Sequence, residues 1–475
     1  MMMTASLYTI EHTLLALFFA CLLVLLASIL RYCVPLLKKM HLPAAVIGGL
    51  LGLALGPQLL GAYWADKLGL EQSIKEIYTI WKQLPGFLIS LVFAELLMGK
   101  RLPSMKKIWD ESASQVIVGY SMAWGQYIVG LLVAMFLLVP FFDANILSAS
   151  LIVIGFQGGY GTAAGLGDTY GQLGFEEGYD LAIAMATAGK VAAILVGLIL
   201  INIAVTYRKM KSPDESRHEH LRERVSASEG KKAVKKQREE MHFSADRFIL
   251  HLSLLCVAIC IGWCIREVLF MLESVFVNHS REGIMQYIPL FPMAMIGGAL
   301  LQWIITYFDA EDIVNARHLH SMSHSFLDLL IVVAIATISL ETLSANWVMV
   351  VLMVVVGVGW NLFIFFLIAP YFYESDPWIR GIGDFAHSTG ATTTGLMLMK
   401  LIDPNDKTGV KSSFSLKQSF YEPIVGGGFI TALALPLIHA LGAWQALVLM
   451  IILLLLTLLL GWKSIGIHPH NKLFR

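Results

Sequence analysis

Charge is scarce in this chain. Asp, Glu, Lys and Arg make up 14% of 475 residues, where soluble domains carry about 25%. With 57% apolar residues and a mean hydropathy of +0.70, that scarcity excludes a soluble globule. The charges present cancel, 34 basic against 34 acidic, so no bulk charge draws in nucleic acid. Cysteine is also scarce. The five include no Cys-x-x-Cys pair, so nothing points to a disulfide framework. Cys256, Cys260 and Cys264 recur every fourth residue of an apolar helix and read as small packing residues rather than metal ligands. His318, His320 and His324 read as solvated, so no metal site is expected. No Walker-type phosphate loop occurs, which argues against ATP drive. No cluster of catalytic polar residues occurs either, so the chain is not expected to be an enzyme.

Long apolar runs are abundant. A helix needs about 20 such residues to cross a bilayer, and eleven candidates fall at 12–32, 42–61, 83–99, 115–139, 180–206, 247–268, 287–308, 324–342, 346–372, 419–440 and 443–461. The positive charges near the first run (Arg31, Lys38, Lys39) follow it. A cleavable signal carries them in front, so this run reads as a retained span. Lys and Arg mark cytoplasmic loops. They gather after the first span, after the third (Lys100, Arg101, Lys106, Lys107), and in 207–246, where eleven basic residues stand against eight acidic. This pattern places the N-terminus outside and 207–246 in the cytoplasm as a charged linker.

Two stretches interrupt the apolar pattern. "GFQGGYGTAAGLGDTYG", Gly155–Gly171, holds seven glycines between spans four and five. By the charge rule span four ends outside and span five starts outside, so the stretch must enter and leave on one face as a re-entrant loop. Backbone of this kind is tolerated at membrane depth only where it is buried in protein or lines a cavity. "GIGDFAHSTGATTTGLMLMKLIDP", Gly381–Pro404, lies between spans nine and ten and dips in from the opposite side. The expected fold is therefore an all-α polytopic membrane protein. Two inverted five-helix repeats, 1–206 and 247–440, each carry a re-entrant loop (about 150–175 and 376–400), and 441–475 adds an extra transmembrane helix and a tail. Inverted repeats with broken helices are a transporter architecture.

Three stretches resemble the bacterial sodium/glutamate symporters: "LLKKMHLPAAVIGGLLGLALG" from Leu36, "GGYGTAAGLGDTYGQLGFEEGYDLAIAMATAGKVAA" from Gly158, and "GATTTGLMLMKL" from Gly390 followed by "EPIVGGGFI". Where the family usually has His in the first loop this chain has Tyr160, and Thr393 stands for the usual Pro in the second. The resemblance implies a homodimer in the inner membrane, with an elevator-like domain holding both loops. Sodium-coupled glutamate uptake is its default activity. The expected partners are then a small anionic substrate and the lipid bilayer. No cofactor is expected beyond sodium as coupling ion. Two alternatives stand: a proton-coupled or ion-independent carrier of another carboxylate or amino acid, and a channel or sensor.

The candidate binding residues are Gly158, Gly159, Gly161, Thr162, Lys190, Asp384, Gly390, Thr392, Thr393 and Thr394. Loop N–H groups suit a carboxylate, and loop carbonyls with Thr hydroxyls suit sodium. Lys190 falls near the middle of its span, where an ionisable residue is a functional candidate by default. Three roles are open to it: an ion pair with Glu95, Asp384 or Glu422, a contact to the substrate, or an ammonium in place of sodium.

Overall fold

A computed structural model describes residues 2–34, 37, 43–69, 71–99, 104–208, 245–276 and 283–466. The linker 207–246 falls almost wholly outside them, as do Lys38, Lys39, Lys100 and Arg101, and with them much of the charge pattern that orients the chain. The tail beyond 466 is outside them too. Among the described residues the regular elements are all helical. The main helices are α1 (Met2–Cys33), α2 (Ala44–Leu55), α3 (Glu71–Glu95), α4 (Met105–Val133), α5 (Gly178–Arg208), α6 (Ala245–Phe276) and α7 (Leu290–Tyr307). They continue with α8 (Ala316–Ala336), α9 (Trp347–Phe363), α10 (Pro377–Gly390), α11 (Thr392–Ile402), α12 (Val410–Ile424), α13 (Phe429–Leu441) and α14 (Ala443–Ser464).

Eleven described helical segments are long and apolar enough to cross a membrane. The number equals the sequence expectation but the membership differs. The run 42–61 becomes the 12-residue α2, because Gly56 and Pro57 end it and a separate helix, Leu60–Leu68, follows. By length and composition its place is taken by Ile146–Gly165, the first glycine-rich stretch. Cys256, Cys260 and Cys264 differ as well. They lie exposed on α6 instead of packed inside.

The described residues divide into two compact units, and each draws on both halves of the sequence: those within 1–100, 160–184 and 254–350 form one, and those within 101–159, 185–253 and 351–475 the other. In the first unit α8 packs on α2 and α3, α7 on α3, and α2 on α1. A repeated pattern, Pro-x-Ala-x-Ile-Gly-Gly, sets these contacts at Pro43–Gly49 and Pro292–Gly298. A Cβ on Gly49 would come 2.5 Å from Ile335 Cβ, and one on Gly298 would come 2.1 Å from the Ala94 carbonyl oxygen. The glycines thus let helices touch along their backbones. A backbone oxygen cannot step aside, so Gly298→Ala is expected to destabilise the protein by about 1–3 kcal/mol, the usual cost of overpacking. Among the described residues nothing lies within 4 Å of a Cβ built on Gly86, so Gly86→Ala is the control. Thermal melts of the purified protein should show a lower midpoint for the first variant only.

In the second unit α14, α12 and α10 pack on α4, and α10 packs on α11. Trp124 Nε1 donates to Thr457 Oγ1 at 3.1 Å, tying α4 to α14. Two helices here end alike. α4 runs into a π turn, Ala134–Leu138, and α9 into another, Ile364–Ile368. Pro140 or Pro370 follows two residues later. A proline lacks the N–H that a helix needs and crowds the carbonyl four residues back, and the wider π turn takes up that strain. Asp143 and Asp376 then turn the chain with φ of +50° and +47°, and each leads into a helix that aims at a break.

Candidate functional site

Both breaks rest on one residue with positive φ. Ile146–Gly158, helical with a π turn at its end, stops at Gly159 (φ +63°, ψ −162°). α10 stops at Ala391 (φ +74°, ψ +165°), and α11 starts directly after it. An L-residue reaches this region only with strain, whereas glycine enters it freely. The two breaks meet: a Cβ on Gly159 would lie 3.7 Å from Ala391 Cβ. Neighbouring glycines let α5 approach the end of α10 closely. A Cβ on Gly390 would press on Ala193 Cβ at 2.7 Å and on Lys190 Cα at 3.1 Å, and one on Gly189 would lie 2.5 Å from the Thr389 carbonyl oxygen.

A buried polar column runs along α10 to this point. Arg380 begins it, with Nη1 donating to Gln115 Oε1 and Ser413 Oγ, each at 3.2 Å. One turn on, the Lys417 ammonium donates to Asp384 Oδ1 at 2.8 Å and the Tyr373 hydroxyl to Asp384 Oδ2 at 2.6 Å. Both Asp384 and Lys417 are wholly buried. Next come His387, whose Nδ1 lies 3.1 Å from Gln418 Nε2 and 3.2 Å from Thr392 Oγ1, and Gln418, which also donates to that hydroxyl at 2.6 Å. Three buried amides close the column. Gln126 Nε2 donates to Asn361 Oδ1 and the Ser388 carbonyl, Asn361 Nδ2 to Thr389 Oγ1, and Gln157 Nε2 to Gln126 Oε1. The Tyr421 hydroxyl has one proton and two acceptors in reach, the Gly119 carbonyl and Gln157 Oε1. Arg380 and Ala391 are eleven residues apart, about 16 Å along a helix. Near the break, Ser388 Oγ and Gln418 Oε1 are buried and have no hydrogen-bond partner among the described residues. Such atoms are rare in native proteins because burying them unpaired is costly.

The candidate residues divide by position. Gly158, Gly159, Lys190, Asp384, Gly390 and Thr392 stand at or near the paired breaks. Lys190 is half-buried on α5. The carboxylate of Asp384 takes Lys417 as its ion-pair partner, a residue sequence reasoning passed over. Glu95 has an imidazole nearby, with His320 Nδ1 at 3.7 Å, and Glu422 approaches the Thr392 hydroxyl at 3.5 Å. Thr394 donates to the Gly390 carbonyl at 2.6 Å, while Thr393 is exposed. Gly161 belongs to the other unit, where a Cβ on it would meet Ile89 Cδ1 at 2.6 Å. Thr162, in that same unit, is buried, and its carbonyl accepts the Leu166 N–H. Gln126, Gln157, Asn361 and Lys417 were also missed. Gln126 and Asn361 had a signal, each a lone polar residue in an apolar run, and Gln157 stands inside the glycine-rich stretch.

The pattern of the family described as sodium/glutamate symporter matches residues 9–405. The chain belongs to that family. It is therefore a multi-pass protein of a transporter family, not of an enzyme family. A search of curated proteins finds no match. Within this symporter-family chain, both breaks and Asp384 lie inside the matched stretch, while Lys417, Gln418 and Glu422 lie beyond it.

Proposed function

We propose that the chain is a secondary active transporter of a small anionic, amino-acid-like solute. Glutamate is the first candidate substrate and sodium the first candidate coupling ion, as the family's description suggests. The observation that carries this reading is the meeting of two interrupted helices at Gly159 and Ala391. Broken helices that meet expose N–H groups at one half-helix end and carbonyls at another, which suit a carboxylate and a cation. α11 begins at Thr392, so its first N–H groups have no acceptor within the helix. Ser388 Oγ and Gln418 Oε1 await a partner beside them, and a bound solute or ion would supply it. The test is counterflow of labelled glutamate in proteoliposomes, with sodium and with choline. Saturable exchange is expected. Flux that rises linearly with concentration would mark a channel, and binding without flux a sensor; either result would sink the reading.

A further inference from the structure

The Lys417–Asp384 pair has features that an ordinary structural ion pair does not require. Its ammonium is wholly buried, and among the described residues the oxygen of Asp384 is its one oxygen acceptor. The other faces of the ammonium meet rings: Nζ lies 4.6 Å from the Tyr421 centroid and 5.2 Å from that of Phe414. The negative faces of aromatic rings attract any monovalent cation. Gly119 leaves the space that the cation fills, since a Cβ there would come 2.9 Å from both Cε and Nζ. The second Asp384 oxygen accepts from the Tyr373 hydroxyl, so each carboxylate oxygen has its own donor. The three walls come from α4, α10 and α12, and Asp384 precedes the Ala391 break by seven residues, about 10 Å of helix.

One carboxylate, two rings and a gap opened by a glycine make a compartment for one positive charge beside a helix break. We infer that the Lys417 ammonium is a tethered cation, occupying a monovalent-cation site that sodium would otherwise fill. The inference rests on the transporter reading of the breaks. A lysine ammonium carries the same +1 charge as sodium and holds its place without having to be recruited. Such a site contributes a constant charge to every step of a transport cycle, so sodium taken up by this chain binds elsewhere. Removing the side chain down to Ala leaves the carboxylate and the space, and a free cation with water can enter.

Melting temperatures of the purified full chain in sodium chloride and in choline chloride of equal ionic strength test this. Sodium bound at other places shifts wild type and variant alike and cancels in the comparison. The sodium-minus-choline shift of Lys417→Ala should exceed that of the wild type by several degrees, as expected when a ligand binds only the folded state. The extra shift should vanish in Asp384→Asn/Lys417→Ala. A Lys417→Ala shift no larger than that of the wild type overturns the inference. An extra shift that survives the second substitution overturns it too, because sodium is then not at Asp384. A Lys417→Ala chain that fails to fold in sodium does the same, since sodium then cannot replace the ammonium. None of these measurements uses a solute, so they fail or succeed independently of the counterflow experiment.

Discussion

Asp384→Asn and Lys417→Met, each made alone and measured without sodium, should lower the melting temperature sharply, and the double variant should recover most of the loss. Both side chains are fully buried and 2.8 Å apart. Taking two charges out of water is expensive, and their attraction returns that cost only while both remain. Removing one leaves the other uncompensated in a medium of low dielectric, at a cost of about 3–5 kcal/mol. Replacing both removes the charge from the interior altogether, which in comparable cases is near neutral. The amide introduced by Asp384→Asn would still accept from the Tyr373 hydroxyl, and the thioether chain introduced by Lys417→Met would fill the space against Phe414 and Tyr421. Melts of the four proteins give the coupling energy directly. If the double variant loses as much as the two singles summed, the pair is not coupled, and the ion-pair account of this layer is wrong.

Opposite substitutions at the two breaks should have opposite effects. Gly159 and Ala391 hold nearly the same backbone conformation, φ +63° and +74° with ψ of −162° and +165°. This region belongs almost to glycine alone, and an L-residue in it costs about 1–3 kcal/mol. Ala391 bears that strain and Gly159 does not. Ala391→Gly is therefore expected to stabilise the protein by up to that amount, reduced by the added freedom of glycine in the unfolded chain. Gly159→Ala is expected to destabilise it, and to slow solute exchange as well, because its new methyl group would sit 3.7 Å from Ala391 Cβ at the meeting point of the breaks. Thermal melts and counterflow on the same preparations check both. Equal effects of the two substitutions would show that the breaks are not strained in the way their dihedral angles indicate.

The glycine-rich stretches were legible because they violate a local rule. Seven glycines inside an apolar region mark a place where a helix is interrupted, and the helices break at Gly159 and Ala391. The membrane class was legible for a similar reason: apolar run length and charge scarcity are properties of the chain itself. The Pro-x-Ala-x-Ile-Gly-Gly repeat was equally available, since two copies stand at Pro43 and Pro292.

Partner choice was not legible. Lys190 drew attention because it stands alone in an apolar run, yet the carboxylate of Asp384 meets Lys417, which lies in a more polar stretch that offers no such signal. Nothing in sequence spacing brings residue 384 to residue 417. That contact exists because α10 and α12 both pack on α4, where Gly119 leaves room for the ammonium. Gly161 shows the same limit from the other side. Its place in a glycine-rich motif was legible, while its close approach to Ile89 on α3 was not, because that depends on how α3 packs. Run length, glycine content and proline position act through the local backbone, so the sequence alone determined the helical membrane class and the places where helices break. Which side chains face each other across helices separated by tens to hundreds of residues depends on helix rotation and approach, and only the tertiary structure decided that.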